Sequence, residues 1–187
     1  DSTGQLSTGV RRKVLLTDII ANSFLESGGT PELTRKEDFN GSIYYEFPYT
    51  DVYQIKSITG TSADIVDPDA GVQKDYDPSG DLLFDNGQRD NAYLPARLWV
   101  RESVKNHYGD GAEGLSGPRL TVTYDYLQHQ AGPGPFTVDS YTLTGFTYDD
   151  IPLYTSKNLK KTFSLANCFD FRHDLTTSHR IPDARGG

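Results

Sequence analysis

Residues 120–127 read LTVTYDYL and form the clearest strand pattern in the chain. The even positions carry apolar or aromatic side chains, whereas positions 121, 123 and 125 carry polar ones. Alternation with a period of two places the two sets on opposite faces of a strand. The pattern predicts an antiparallel sheet with one face buried and the other in contact with water.

Other short apolar runs resemble this one, and turn-forming residues separate them. They are residues 42–47 (ended by Pro48), 52–58, 82–84, 97–101 and 136–141. Residues 61–81 and 106–118 are rich in Gly, Pro and Asp, which predicts long loops. We therefore expect an all-β protein, an antiparallel β-sandwich with long loops and extended N- and C-terminal arms.

The first 38 residues are ambiguous. The apolar run at 14–20 fits a strand or a short helix. In the helical alternative, Thr17 or Asp18 caps a helix over residues 19–25, which Gly28 and Gly29 end. We assign residues 1–38 to an N-terminal linker or arm, 39–173 to the β-sandwich domain and 174–187 to a C-terminal extension.

A charged turn lies at residues 84–93, which read FDNGQRDNAY. Asn86 and Gly87 both tolerate positive φ, so this pair is a strong turn signal. Asp85, Arg89 and Asp90 surround it. Such a cluster is a device that fixes register, an ion site or a catalytic site.

Turn capping and ion pairing between loops is the interpretation we favour for the charged residues, because such pairs fix register even where they add little stability. The candidates for this structural role are Asp85, Asn86, Gly87, Arg89, Asp90, Asp139, Asp150, Asp170 and Arg172.

Composition excludes some classes of function. The net charge is −8 and the basic residues are scattered, which disfavours nucleic-acid binding. The single cysteine, Cys168, excludes an intrachain disulfide and is expected to be a small buried side chain. No apolar run reaches the roughly 18 residues of a membrane span. The absence of methionine leads us to expect a segment of a longer chain.

Metal and catalytic motifs are weak. Asp75, Asp77 and Ser79 match the first half of a calcium loop, but position twelve of that loop is Asn86 instead of a bidentate Glu. The four histidines, at 107, 129, 173 and 179, lack the spacing of a zinc motif. No spacing singles out a carboxylate pair for sugar hydrolysis. We therefore expect no metal and no cofactor.

Five blocks of sequence carry a resemblance to a known family. They are FDNGQRDNAY at 84–93, DYLQH at 125–129, FTVDSY at 136–141, YDDIP at 148–152 and FDFR at 169–172. In this order they resemble a domain of large virion structural proteins of tailed phages, especially contractile-tailed phages of marine cyanobacteria. The resemblance spans about residues 81–173, half of the chain. One departure is His173, where the family has proline.

The resemblance implies a tail, baseplate or fibre component without enzymatic activity. It further implies a location in the virion after synthesis in the host cytoplasm, other tail or baseplate proteins as partners, and a symmetric homo-oligomer. Residues 1–25 and 174–187 are then the arms that dock onto neighbours.

Two alternatives remain open. The first is a host-receptor or glycan-binding module of a tail fibre, with an aromatic shelf formed by Tyr108, Phe136 or Tyr148. The second is a fragment of a polysaccharide-degrading tailspike, which requires two carboxylates across a cleft.

Overall fold

The computed structural model describes residues 9–23, 32–66, 73–76, 78–108, 119–132 and 134–175 of the 187-residue chain. Two four-stranded antiparallel sheets dominate it. The first contains, in spatial order, β1 (Lys13–Asn22), β9 (Arg119–His129), β4 (Val52–Val66) and β5 (Gln73–Tyr76). The second contains β2 (Thr34–Glu37), β3 (Ile43–Thr50), β8 (Pro95–Val100) and β6 (Leu82–Asp85).

Two small sheets complete the topology. The strand β7 (Ala92–Tyr93) pairs in parallel with β12 (His173–Asp174), and β10 (Leu153–Ser156) forms an antiparallel hairpin with β11 (Lys161–Ser164). The fold is therefore all-β and resembles an antiparallel sandwich, as the alternating patterns predict.

The main core lies between the two large sheets. The even positions 120–126 of β9 are buried in one cluster with Ile43, Tyr45 and Phe47 of β3. The rings of Phe47 and Tyr124 meet edge to face, with centroids 4.9 Å apart. The face predicted from the alternation in β9 is thus confirmed.

The opposite face of β9 is partly exposed at Thr121 and Thr123, as the alternation predicts, but it is covered near the end of the strand. Asp125 is only 3% exposed, and Leu127 packs in a second cluster with Tyr141, Ile151 and Leu165. These last three residues come from the segment that follows β9. Residues from the segment 136–168 therefore cover the second face of the first sheet at one end, whereas Gln54, Lys56 and Thr59 of β4 are exposed.

The N-terminal apolar run is a strand and not a helix. It forms β1, which pairs with β9 at the edge of the first sheet. Asp18, the proposed helix cap, instead has a φ of 57° where the register shifts. Because β1 and β2 belong to the large sheets, Lys13–Asn22 and Thr34–Glu37 are part of the body and not of an arm. Residues 1–8 and 24–31 lie outside the described residues.

The other end of the body also differs from the assigned boundary. Asp174 pairs with Tyr93 in the β12–β7 sheet, so the body continues past residue 173. Residues 176–187, most of the proposed C-terminal extension, lie outside the described part of the chain.

The predicted strand at 136–141 is wrong. Phe136 makes only an isolated bridge with Asp170, and Val138–Tyr141 is a 3-10 helix. A capping box explains the change, because the side chain of Thr137 accepts from the following turn and that of Ser140 accepts from the Thr137 N–H. Local side-chain hydrogen bonds outweigh the alternating pattern here.

The loop boundaries also shift. Pro48 lies inside β3 rather than ending it, at an exposed position where the pairing is irregular. The strands β4 and β5 occupy residues 61–66 and 73–76, within the predicted loop. Tyr108 is fully buried and its hydroxyl donates to Asp81 over 3.1 Å, whereas residues 109–118 lie outside the description.

The described residues contain no helix with the length and apolarity of a membrane span.

Candidate functional site

A buried set of charged and polar side chains lies at one end of the first sheet, and we call it the buried ion cluster. It consists of Lys13, Asp51, Gln88, Tyr93, His129, Asp170, Arg172 and Asp174. These residues come from the start of β1, the β3–β4 connection, the charged turn, β7, the end of β9 and the C-terminal segment. The fold brings together residues up to 161 positions apart in sequence.

Lys13 and Asp51 form the centre of the cluster. The Lys13 Nζ atom donates to Asp51 Oδ2 over 2.7 Å, and the two side chains are 0% and 2% exposed. The same Nζ lies 4.7, 4.6 and 5.1 Å from the ring centroids of Tyr93, Phe136 and Tyr141. The ammonium therefore lies in an aromatic box that excludes water.

His129 bridges two carboxylates. Its Nε2 lies 2.8 Å from Asp51 Oδ2, and its Nδ1 lies 2.7 Å from Asp174 Oδ1. Each ring nitrogen of His129 is thus within hydrogen-bonding distance of a different carboxylate. Thr50 also donates to Asp174 Oδ1, over 3.0 Å.

Arg172 and Asp170 form a second ion pair beside the first. Arg172 donates to both carboxylate oxygens of Asp170, over 2.9 and 2.8 Å, and to the Tyr93 hydroxyl over 2.8 Å. Tyr93 in turn donates to Asp170. Gln88 joins the two pairs, because its amide donates to Asp51 Oδ1 over 2.9 Å and accepts from Arg172 over 3.3 Å.

The electrostatics favour ionised carboxylates. Burial alone would raise the pKa of Asp51, but the Lys13 ammonium and the hydrogen bond from His129 outweigh it and hold this pKa well below its usual range. Burial likewise opposes ionisation of Asp174, and its contacts with His129 lower the pKa nonetheless. Each carboxylate is therefore charged and paired at neutral pH.

Tyr93 and Asp170 behave differently from each other in this environment. Burial, together with the nearby carboxylates of Asp51 and Asp170, raises the pKa of the Tyr93 phenol well above its usual value. The phenol stays neutral and can donate. Burial opposes the charge on Asp170, but hydrogen bonds from Arg172 and Tyr93 lower its pKa.

Asp170 and Arg172 are thus the only two of the nine sequence candidates found in the buried ion cluster. Asp85 and Arg89 instead form a bidentate pair on the charged turn, over 2.9 and 2.6 Å, with both side chains partly exposed. Gly87 has a φ of 77°. A Cβ atom there would lie 2.0 Å from the Leu94 carbonyl oxygen, so only glycine fits.

The remaining candidates lie in local turns. The Asn86 side chain accepts from the Gln88 N–H, and Asp150 accepts from the Thr147 N–H and hydroxyl. The Asp139 carbonyl accepts from Arg12 over 2.9 Å. Asp90 accepts from the Tyr154 hydroxyl and from the Asn158 N–H, which attaches the β10–β11 hairpin to the charged turn.

A groove of about 600 Å³ opens above the second ion pair. We call it the apolar groove; its lining includes Leu159, Phe163, Phe169, Phe171, Asp90 and Arg172. Phe169 and Phe171 are 74% and 65% exposed, whereas the intervening Asp170 is buried. The FDFR block therefore presents two rings to solvent and two charges to the interior.

Sequence reasoning missed the centre of the site. Lys13, Asp51 and His129 are single residues without a local motif, and none was a candidate. One signal was present: Lys13 shares the alternating face of β1 with Leu15, and a lysine on an apolar face needs a partner. The partner could not be identified, because it comes from a distant connection.

Four of the five blocks in the phage resemblance meet at this site. The block at 84–93 supplies Gln88 and Tyr93, the block at 125–129 supplies His129, and the last block supplies the Asp170–Arg172 pair. The block at 136–141 supplies aromatic walls around Lys13. Residues that are scattered in sequence thus form one structural unit.

Comparison of the chain with family models, curated proteins and solved structures returned no match. Among the described residues, no group of three His, Cys, Asp or Glu side chains is arranged to hold a metal ion. Asp75 of the calcium-like pattern lies in β5 instead of a loop, and Asp77 lies outside the description.

Proposed function

We propose that this chain is a structural assembly module of a tailed-phage virion, a tail, baseplate or fibre component that holds neighbouring proteins in place. The observation that carries the proposal is the apolar groove, where Phe169 and Phe171 stand exposed on a folded body. Large exposed apolar surfaces mark places that other molecules cover. A neighbouring protein of the particle is the occupant that fits this role.

The buried ion cluster supports a structural role. Its acids and bases are bonded to one another, and among the described side chains no buried nitrogen or oxygen lacks a hydrogen-bond partner. Satisfied buried networks make a body rigid. Four of the five sequence blocks that carry the phage resemblance supply residues to this cluster. This convergence supports the resemblance, because one structural unit then explains why the blocks occur together.

The proposed partners are other tail or baseplate proteins and further copies of this chain around a symmetry axis. The proposed location is the virion, after synthesis in the host cytoplasm. The acidic surface, with a net charge of −8, favours protein partners over nucleic acid.

Labelling of purified particles tests this proposal. Antibodies against the chain should bind the tail or baseplate, and a Phe169→Ser/Phe171→Ser variant should be incorporated less than the unmodified chain. Phe39→Ser is the matched control, because Phe39 is 96% exposed and lies outside the groove. Particles that contain no peptide of this chain would contradict the proposal.

Glycan binding is the second candidate, and one observation favours it: aromatic rings and the amides of Asn91 and Asn158 line the same groove. The shelf expected from sequence is wrong in two positions, since Tyr108 and Phe136 are buried, whereas Tyr148 is 54% exposed. Binding on a glycan array that Phe171→Ser abolishes would favour this candidate over assembly.

A further inference from the structure

We propose that Lys13 and Asp51 condense into an intramolecular isopeptide bond, an amide between the Lys13 Nζ and the Asp51 Cγ atoms, with release of one water. This inference does not depend on the phage assignment. It rests on the contact between the two groups, their burial and the groups placed around them.

Proximity is the first argument. Nζ lies 2.7 Å from Asp51 Oδ2, inside a site where neither side chain reaches solvent. Groups held in contact react with effective molarities of about 10⁵–10⁸ M when their orientation is right. The folded chain has brought an amine and a carboxyl group together without any competing nucleophile from water.

The surrounding hydrogen bonds match the steps of the reaction. The Gln88 amide donates to Asp51 Oδ1, the oxygen that carries negative charge in a tetrahedral intermediate. His129 Nε2 lies 2.8 Å from Oδ2, the oxygen that must leave, and donates to it when the ring is an imidazolium. Asp174 holds the far side of the imidazolium ring and orients it.

The reaction balances without a co-reactant. One proton moves from the Lys13 ammonium to Asp51 Oδ2 along their shared hydrogen bond, which gives a neutral amine and a carboxylic acid. Nζ then forms a bond to Cγ, and negative charge develops on Oδ1. His129 donates a proton to the Oδ2 hydroxyl, the Cγ–Oδ2 bond breaks and water leaves. The nitrogen returns its second surplus proton to His129.

Charge balance favours the product. The bond removes one positive and one negative charge from the interior, where unneutralised charges are costly. The charges that remain are still paired, His129 with Asp174 and Arg172 with Asp170. The aromatic box around Nζ is compatible with an uncharged amide as well as with an ammonium.

The position of the bond gives it a mechanical consequence. Lys13 begins β1, the edge strand of the first sheet, and Asp51 lies in the connection between β3 of one sheet and β4 of the other. The amide would fasten the exposed edge strand to the junction of the two sheets. It would close a loop between residues that are 38 positions apart.

The intact mass of the purified folded chain tests the proposal directly. We expect a mass about 18 Da below that of the sequence, equal to one water. After digestion with trypsin, the segment 13–35 should remain joined to the segment 37–56, because a modified Lys13 resists cleavage. A chain of full mass overturns the proposal.

A loss of the same mass elsewhere also overturns it. Asp110-Gly111 can cyclise to a succinimide, which loses one water too but opens again in mild base. The joined peptides and their stability in base therefore decide between the two. The unmodified chain gives this answer by itself, whether or not the variants fold.

Variants then separate the roles of the residues. Lys13→Met should show the full mass, whereas Lys36→Met, which removes a lysine from a partly exposed ion pair, should keep the loss of about 18 Da.

The role of His129 is tested by the rate. His129→Gln should slow the loss of water by about 10²-fold or more, because it removes the proton donor. His173→Gln, at an exposed histidine, should leave the rate unchanged. Equal rates in the two histidine variants would remove His129 from the mechanism.

Discussion

Two ion-paired regions of this molecule differ in almost every physical respect. The Asp85–Arg89 pair joins residues four apart on a turn, and its side chains are 22% and 24% exposed. The buried ion cluster joins residues from six separate places in the chain, and at its centre Lys13 and Asp51 are 0% and 2% exposed. The first pair orders a local turn, whereas the second exists only when the whole fold is assembled.

The comparison teaches that the energetic weight of an ion pair follows its burial more than its geometry. Arg89 and Asp85 form two short hydrogen bonds, whereas Lys13 and Asp51 share one. Water screens it, so its net contribution is small. The loss of one partner in the buried cluster would leave a charge in a medium that cannot solvate it.

The largest effect is expected from Asp51→Ala. It leaves the Lys13 ammonium buried without a carboxylate, so the free energy of unfolding should fall by about 3–5 kcal/mol in urea titrations. The double variant Lys13→Met/Asp51→Leu removes both charges and should cost less than the single one; neither variant can form the proposed amide, so the comparison isolates the effect of the unpaired charge. A single variant that costs under about 1 kcal/mol would place the buried pair in the same class as surface pairs.

Acid should destabilise the protein through the buried carboxylates. The pKa values of Asp170 and Asp174 are lowered in the folded state, so they contribute stability above the unfolded value of about 3.9. That stability is lost as the pH falls from this value through their folded pKa values. Urea midpoints measured between neutral and acidic pH should fall steeply in this window.

Asp170→Asn provides the check on this acid dependence. The variant should be less stable at neutral pH, and its stability should change less with acid, because one depressed carboxyl group has been removed. An acid profile identical to that of the unmodified chain would assign the effect to other groups.

An intermediate effect is expected at the charged turn from Gly87→Ala. The backbone there has a φ of 77°, and the new Cβ would meet the Leu94 carbonyl oxygen at 2.0 Å. We expect a loss of about 1–3 kcal/mol in thermal or urea unfolding. Gly145→Ala is the matched control, since Gly145 has a φ of 74° but no atom within 4 Å of the added Cβ. Equal losses would show that φ alone matters.

The smallest effect is expected from Arg89→Ala. Its pair with Asp85 is partly exposed, so the loss should be about 0.2–1 kcal/mol and should shrink in high salt. Measuring Arg89→Ala beside Asp51→Ala, under the same conditions, compares the two regions directly. A larger loss of stability for Arg89→Ala than for Asp51→Ala would contradict the view that burial decides how much an ion pair contributes.

Sequence patterns predicted the parts of the fold that repeat locally. The alternation at 120–127 identified β9 and its inner face, and Asn86-Gly87 identified a turn where glycine is required. The run at 14–20 stayed ambiguous, because short apolar stretches fit either period. The prediction of a strand at 136–141 is wrong, because the side chains of Thr137 and Ser140 accept hydrogen bonds from backbone N–H groups and so favour a 3-10 helix.

The site itself was out of reach for a physical reason. Lys13, Asp51 and His129 contact one another only in the folded protein. They are far apart in sequence, so no local pattern predicts these contacts. Asp170 and Arg172 were among the charged residues predicted to cap turns or to form ion pairs between loops, and they do form an ion pair with each other. Their connection to Tyr93 and Lys13 depends on tertiary packing that no spacing rule describes.

The parallel pairing of β12 with β7 has a consequence for the order of events during synthesis. Lys13 is translated before Asp170, Arg172 and Asp174, which are among the last of the described residues to be made. Until then the buried ion cluster lacks the Asp170–Arg172 pair and the carboxylate that contacts His129 Nδ1. The complete cluster can therefore assemble only after Asp174 has been translated.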